Sequence, residues 1–259
     1  MKKMKGFTLV ELVVAMGVTV VLMGAVYMAV NAAQRHSSAI ERKVAAQQDV
    51  KPVLDLMAME IGMASYNPNC ASGIWLNPTT CAAVAAIPNY KGIQEATANS
   101  ITVEMDITNP PDGSGNCTAT NGNGSLGDCN EIIRYEYLSG ATDLRITRET
   151  IRCASGTRTT GGAQPFLGAA SGNTRAVRVI NDVNGNGVYD VGVDIPVFRY
   201  YDGTGTEIAA TALPAGIPNI RRIDITLAVE TEDVDPNTNQ RRRLIYSTSV
   251  IPRNHAISP

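Results

Sequence analysis

The sequence is short of the residues on which most enzymes depend. It has two histidines in 259 residues, and both, His36 and His255, lie near its ends. No histidine is therefore expected in the interior of a folded head, where it could serve a serine or cysteine nucleophile. No CxxC pair occurs, which together with so little histidine argues against zinc. A phosphate-cradling glycine loop is also missing. Carboxylate pairs exist, as in any chain of this size, but none is singled out by its context. Formal net charge is −2, so a surface built to wrap nucleic acid is not expected. Aromatic content is low at 5%, but 44% hydrophobic residues can still build a core.

The most informative shortage is of charge. From Leu12 to Gln34 no residue carries a formal charge, and the apolar run opens at Phe7 with Glu11 as its one acid. About 20 apolar residues at 1.5 Å rise cross a roughly 30 Å hydrocarbon core. Lys2, Lys3 and Lys5 precede the run and hold the amino end on the cytoplasmic side. An ordinary secretory signal has a shorter apolar core followed by a small-residue cleavage site, whereas here the small residue, Gly6, comes first. A plain anchor with Glu11 snorkelling is the other bland reading. It leaves the acid without a task, although a carboxylate in lipid costs about 2.5–3.5 kcal/mol on insertion scales.

Gly6-Phe7-Thr8-Leu9-Val10-Glu11-Leu12 resembles the processing site of type IV prepilins and pseudopilins. The resemblance covers about the first thirty residues. It implies that a prepilin peptidase/N-methyltransferase cuts after Gly6 and methylates the new amine of Phe7. It also implies that Glu11 attracts the terminal amine of a neighbouring subunit, an attraction that is strong between opposite charges in a low-dielectric bundle. Loss of the leader's three lysines takes the formal charge from −2 to −5. Many pilins have a proline in the second half of this run. Here none precedes Pro52, so Gly17 and Gly24 are its weak points.

The helix is expected to continue past the membrane run. Val50, Val53, Leu54, Met57 and Ile61 step by three and four and mark one packed face. Pro52 is expected to kink it, and Gly62 with Asn67-Pro68-Asn69 to end it. The expected organisation is a leader at 1–6, a transmembrane or filament-core helix at 7–33, an amphipathic helix at 34–65 and a β-rich head at 66–259. Strand alternation is read at 100–105, 131–138, 144–152, 176–181, 195–201, 220–229 and 243–251. The stretch 153–173 reads as loop, as does the acidic stretch 232–239, with Arg241–Arg243 as an exposed strand start. The fold class is α+β: a pilin-like ladle whose long helix packs on a mainly antiparallel sheet.

All five cysteines follow the membrane run, and a head exported to an oxidising space would use them in disulfides. Local pairs Cys70–Cys81 and Cys117–Cys129 are expected because each closes a loop with little to pack, leaving Cys153 over. The segment 182–190, DVNGNGVYD, places oxygen side chains at positions one, three, five and nine, with glycine after the fifth. This is the start of an EF-hand-like calcium loop. Asp182, Asn184, Asn186 and Asp190 would give side-chain oxygens and Val188 its carbonyl, with Asp194 as a further acid. Val193 stands where a bidentate Glu belongs, so affinity is expected near about 10⁻⁴–10⁻³ M. A plain Asn-Gly turn is the competing reading.

The expected function is structural: a minor pilin that helps to initiate type IV pilus assembly. The large head and the ending Ser249–Asn254 also resemble the J-type minor pseudopilins of type II secretion, which is the alternative. An anchored enzyme or an adhesin is a lesser one. Expected partners are other pilins or pseudopilins, the peptidase, an assembly ATPase and an inner-membrane platform. The expected location is the inner membrane, single-pass with a periplasmic head, then the pilus.

Overall fold

A computed structural model describes residues 6–83, 91–109, 122–140, 144–154, 156–169, 177–213, 215–235 and 238–256. One helix, α1 (Leu9–Gly62), takes up 54 residues, a rod of roughly 80 Å at 1.5 Å per residue. Its first turns are exposed and apolar apart from Glu11 and Thr19, and burial begins at Ala46. From there Val50, Val53, Leu54, Met57, Glu60 and Ile61 form the docked stripe. This is the expected face with one acid added to it. The helix runs through Pro52 and is capped at Met63.

The head is made of two antiparallel sheets. The first runs β1 (Ile93–Ala96), β2 (Ser100–Glu104), β3 (Ile132–Ser139) and β4 (Leu144–Ala154) in order. The far edge of β4 is shared by β5 (Thr157–Thr160), opposite 151–154, and β6 (Gln164–Ala169), opposite 144–148. The second sheet centres on β9 (Arg222–Asp235). Short strands β7 (Arg178–Val179) and β8 (Phe198–Tyr201) pair along one edge of it, and β10 (Gln240–Val250) along the other.

One core joins these parts. The α1 stripe meets the alternate side chains of β2 and β3 (Ile101, Val103, Ile133, Tyr135) and those of β9 (Ile223, Ile225, Leu227, Val229). The opposite face of the first sheet is roofed by the 66–83 segment. There Leu76, Cys81, Ile132, Ile151 and Cys153 form a second, smaller cluster. The chain leaves α1 through Ser65, whose N–H donates to the Glu104 carbonyl at 2.9 Å.

Two stretches differ from the sequence expectation. The loop expected at 153–173 contains β5 and β6. The four residues of β5 are polar and exposed throughout, and β6 contains Pro165 and Gly168, so neither shows apolar alternation. The acidic stretch 232–239 begins as strand, because β9 continues to Asp235. Opposite it, β10 starts at Gln240 with the three arginines inside it.

Candidate functional site

The amino end is built by local chemistry. Thr8 is the N-cap of α1: its hydroxyl accepts from the Glu11 N–H at 3.3 Å, and Glu11 Oε2 accepts from the Thr8 N–H at 2.9 Å. This reciprocal capping box satisfies two of the helix's free donors. The Thr8 hydroxyl also lies 2.9 Å from the same carboxylate oxygen. Glu11 is thus held within its own first turn while the chain stands alone.

Gly6 has no local reason to be glycine. A Cβ there would meet nothing within 4 Å, and its backbone is not in the left-handed region. The fold itself therefore does not call for glycine here. Gly17 and Gly24 are equally unconstrained. Following Gly6, Phe7 is 88% exposed, and apolar side chains stay exposed through Val30. The helix is long and apolar enough to cross a membrane.

At its other end α1 is locked to the head by charge. Arg148 of β4 donates to Glu60 through Nε at 3.1 Å and Nη2 at 2.7 Å. The Tyr135 hydroxyl also donates to Glu60 Oε2, and Arg148 Nη1 donates to Thr150 at 3.0 Å. The carboxylate raises the Arg148 pKa further, and burial beside Glu60 raises that of Tyr135.

The 182–194 loop is cross-tied at its base. Asn181 Nδ2 donates to the carbonyls of Ile195 and Thr226, both at 2.9 Å, and its Oδ1 accepts from the Ala228 N–H. Asp182 accepts from Gly185 N–H at 2.6 Å and Gly187 N–H at 2.8 Å. Asp194 accepts from Val183 N–H and Asp190 N–H. The side-chain amides of Asn184 and Asn186 both donate to Asp190 Oδ2 at 2.7 Å. The structure therefore gathers the six expected positions into one loop, with Val188 on its exposed rim. The donor types suit a hard cation, but to bind one both Asn amides would turn over, since they now present N–H groups to Asp190. Among the described residues no group of three or more His, Cys, Asp or Glu side chains is placed to hold a metal ion.

The cysteines depart from the local pairing. Cys81 is joined to Cys153 across 72 residues, so the expected Cys70–Cys81 bond is replaced, and Cys70 is free and exposed. The reason is topological. Cys81 comes down from the roof segment beside Ile132 and Ile151, where β4 presents Cys153. Cys129 is disulfide-bonded, and Cys117 lies outside the described residues.

Three buried polar groups escaped the sequence reading. His255 is 5% exposed, contrary to the expectation that no histidine lies in the head interior. Its Nδ1 sits 3.0 Å from Ser65 Oγ and 2.6 Å from the Lys91 carbonyl, and its Nε2 2.9 Å from the Ile217 carbonyl. Burial, with Arg221 and Lys91 nearby, lowers its pKa. Glu104 and Glu131, both fully buried, are pushed up to about 8 and about 7 by loss of water. Glu104 accepts from Leu76 N–H and Gln94 through Oε2, while its Oε1 finds no partner among the described residues. A single polar residue, whether in a strand like Glu104 or in the terminal turn like His255, carries no periodic signal that would have marked it.

Against known proteins, residues 1–27 match the family described as the prokaryotic N-terminal methylation motif. No curated protein and no solved structure matches the chain. The amino end is a prepilin-type signal and methylation motif, and the fold that carries it is a long helix, apolar in its first half, packed on open, antiparallel sheets.

Proposed function

We propose that this chain is a minor pilin, a structural subunit that enters a type IV pilus by its apolar helix and helps to initiate assembly. The observation that carries the reading is the free half of α1. It is an apolar helix that no described residue of its own head covers, opened by the Thr8–Glu11 capping box and preceded by a glycine that the fold does not need. Burying such a helix among like helices removes a large apolar surface from water or lipid. It also brings Glu11 near a neighbour's terminal amine, where opposite charges attract strongly. The role is non-catalytic. Its partners on this reading are the peptidase that cuts after Gly6 and methylates Phe7, other pilins, and the membrane platform that drives assembly.

The J-type minor pseudopilin of a secretion system is the alternative, supported by the large head. The two are separated by recovering the protein from its native cell. Low-stoichiometry presence in sheared surface filaments supports the pilus reading. Confinement of the processed chain to the envelope supports the secretion reading. Glu11→Ala should leave processing intact and exclude the chain from either assembly; normal incorporation of this variant would overturn the role given to Glu11.

A further inference from the structure

The free cysteine and the long-range disulfide meet the same short stretch of the head. Asn69 Nδ2 donates to the Gly122 carbonyl at 2.6 Å, and Ala71 Cβ stands 3.5 Å from where a Cβ on Gly124 would be. Three residues on, the Gly127 carbonyl accepts from the Cys153 N–H at 2.8 Å, and Cys153 Cβ stands 2.8 Å from where a Cβ on Gly127 would be. Three residues reach at most about 11 Å. Cys70, between Asn69 and Ala71, and the Cys81–Cys153 bond therefore lie side by side, one at each end of 124–127. Cys129 is bonded too, but to none of these three, since Cys81 and Cys153 hold each other and Cys70 is free.

The folded head makes no use of the Cys70 sulfur. It is unbonded and exposed, and its backbone is left-handed at φ 49°, where glycine or asparagine sits at less cost. The unfolded chain is different. There Cys70 and Cys81 are 11 residues apart, whereas Cys81 and Cys153 are 72 apart. Loop closure falls off as roughly the 3/2 power of length, so the local pair meets about 17 times as often. Folding reverses the preference, because β3 and β4 set Ile132, Ile151 and Cys153 against Leu76 and Cys81 and bury the bond among them. The bond that closes most readily is thus not the bond the fold keeps, and the sulfur left over is the exposed one.

We propose that Cys70 is an exchange thiol, which bonds Cys81 first and is then displaced by Cys153 as the roof segment docks on β4. The first step takes two electrons from the thiols of Cys70 and Cys81, and a disulfide-bearing oxidant of an oxidising compartment accepts them and leaves as two thiols. In the second, the Cys153 thiolate attacks Cys81 Sγ. The Cys81–Cys153 bond forms, the Cys70–Cys81 bond breaks, and Cys70 leaves as a thiolate. No electron is gained or lost in this exchange, so it needs no further oxidant. The final placement of Cys70 beside Cys153 is that of a leaving and an attacking sulfur when the exchange is complete.

The test uses the full chain, reduced and unfolded in urea, then diluted into detergent micelles with oxidised and reduced glutathione. Samples are acid-quenched, alkylated and mapped without reduction. Cys70–Cys81 should exceed Cys81–Cys153 at least about fivefold in the earliest samples and be absent from the final ones. Freed of glutathione by gel filtration at the early point, the chain should convert to Cys81–Cys153 at a rate independent of its concentration. One Cys70 thiol should appear for each Cys153 thiol lost. Cys70→Ser should form Cys81–Cys153 at least about threefold more slowly, because the mixed disulfide that replaces the local bond is reversed by free glutathione. Its final Tm should equal that of the parent chain, whereas a purely structural Cys70 would change the Tm and leave the rate. Cys81–Cys153 appearing first, a Cys70–Cys81 bond that persists once glutathione is gone, or an unchanged rate in Cys70→Ser would each overturn the proposal.

Discussion

Glu60, on the last turn of α1, accepts two N–H groups from Arg148 of β4, and the pair lies where the helix meets the first sheet. Taking one partner from a buried pair leaves the other charge without compensation, which costs about 3–5 kcal/mol when the site is dry. Arg148 keeps 23% side-chain exposure and Glu60 9%, so water softens the loss. Arg148→Ala is expected to cost about 2 kcal/mol, and Tyr135→Phe about 1 kcal/mol. Thermal unfolding of the variants and of the double variant checks this. A sum of the single losses with no coupling would show that the two groups do not share Glu60.

Stability of the head should fall as pH rises. Glu104 holds its proton in the folded state up to about pH 8, against 4.5 as its ordinary value. The folded chain therefore binds more protons than the unfolded one between those values, and stability is lost through that window. Glu131, raised to about 7, acts in the same sense. The loss from Glu104 is about 4 kcal/mol, on the order of a 10 °C fall in Tm between pH 5 and pH 8.5. Glu104→Gln should flatten most of it. His255 works oppositely: burial keeps it neutral when folded, so its contribution is lost as pH falls below 6.5. A fall in stability above pH 6 that persists in the Glu104→Gln variant would assign the loss to Glu131 instead.

The Cys81–Cys153 bond closes a span of 72 residues. Opening it releases about 4 kcal/mol of loop-closure entropy to the unfolded chain. It also frees the roof segment from Ile132 and Ile151. Cys81→Ser with Cys153→Ser should lower stability by about that amount and raise amide exchange in 66–83. A non-reducing peptide map should join Cys81 to Cys153 and leave Cys70 open to alkylation. A Cys70–Cys81 linkage in the map would contradict the structure.

At the 182–194 loop calcium is a proposal resting on donor type: two Asn amides, Asp182, Asp190 and Asp194. Millimolar calcium is expected to raise the Tm by a few degrees, in keeping with a Kd near about 10⁻⁴–10⁻³ M. Asp182→Ala with Asp190→Ala should abolish the rise. An unchanged Tm with calcium or chelator would remove the cation and leave the loop a hydrogen-bonded turn tied by Asn181.

What could be read in advance followed periodicity. Val50, Val53, Leu54, Met57 and Ile61 announced the docked face because a buried helix repeats every three to four residues. The runs at 100–105, 131–138 and 220–229 announced β2, β3 and β9 by alternation. Thr157–Thr160 gave no such sign, since a polar strand hydrogen-bonded to an edge looks like loop. Cys81 finds Cys153 through the arrangement of strands, which spacing along the chain does not encode. Glu60 was visible as a charge, but its partner Arg148 lies 88 residues on and belongs to the sheet. The amino-terminal motif was the most legible part because it is linear: residues 1–27 carry it in sequence, whatever the fold that follows.

The central claim concerns that site, and the intact mass and amino-terminal peptide of the chain recovered from its native cell test it most directly. The account predicts a mature chain that begins at Phe7 and carries a methyl group on its amine. A chain that keeps Met1 through Gly6, or that is cut beyond the apolar run, would contradict it.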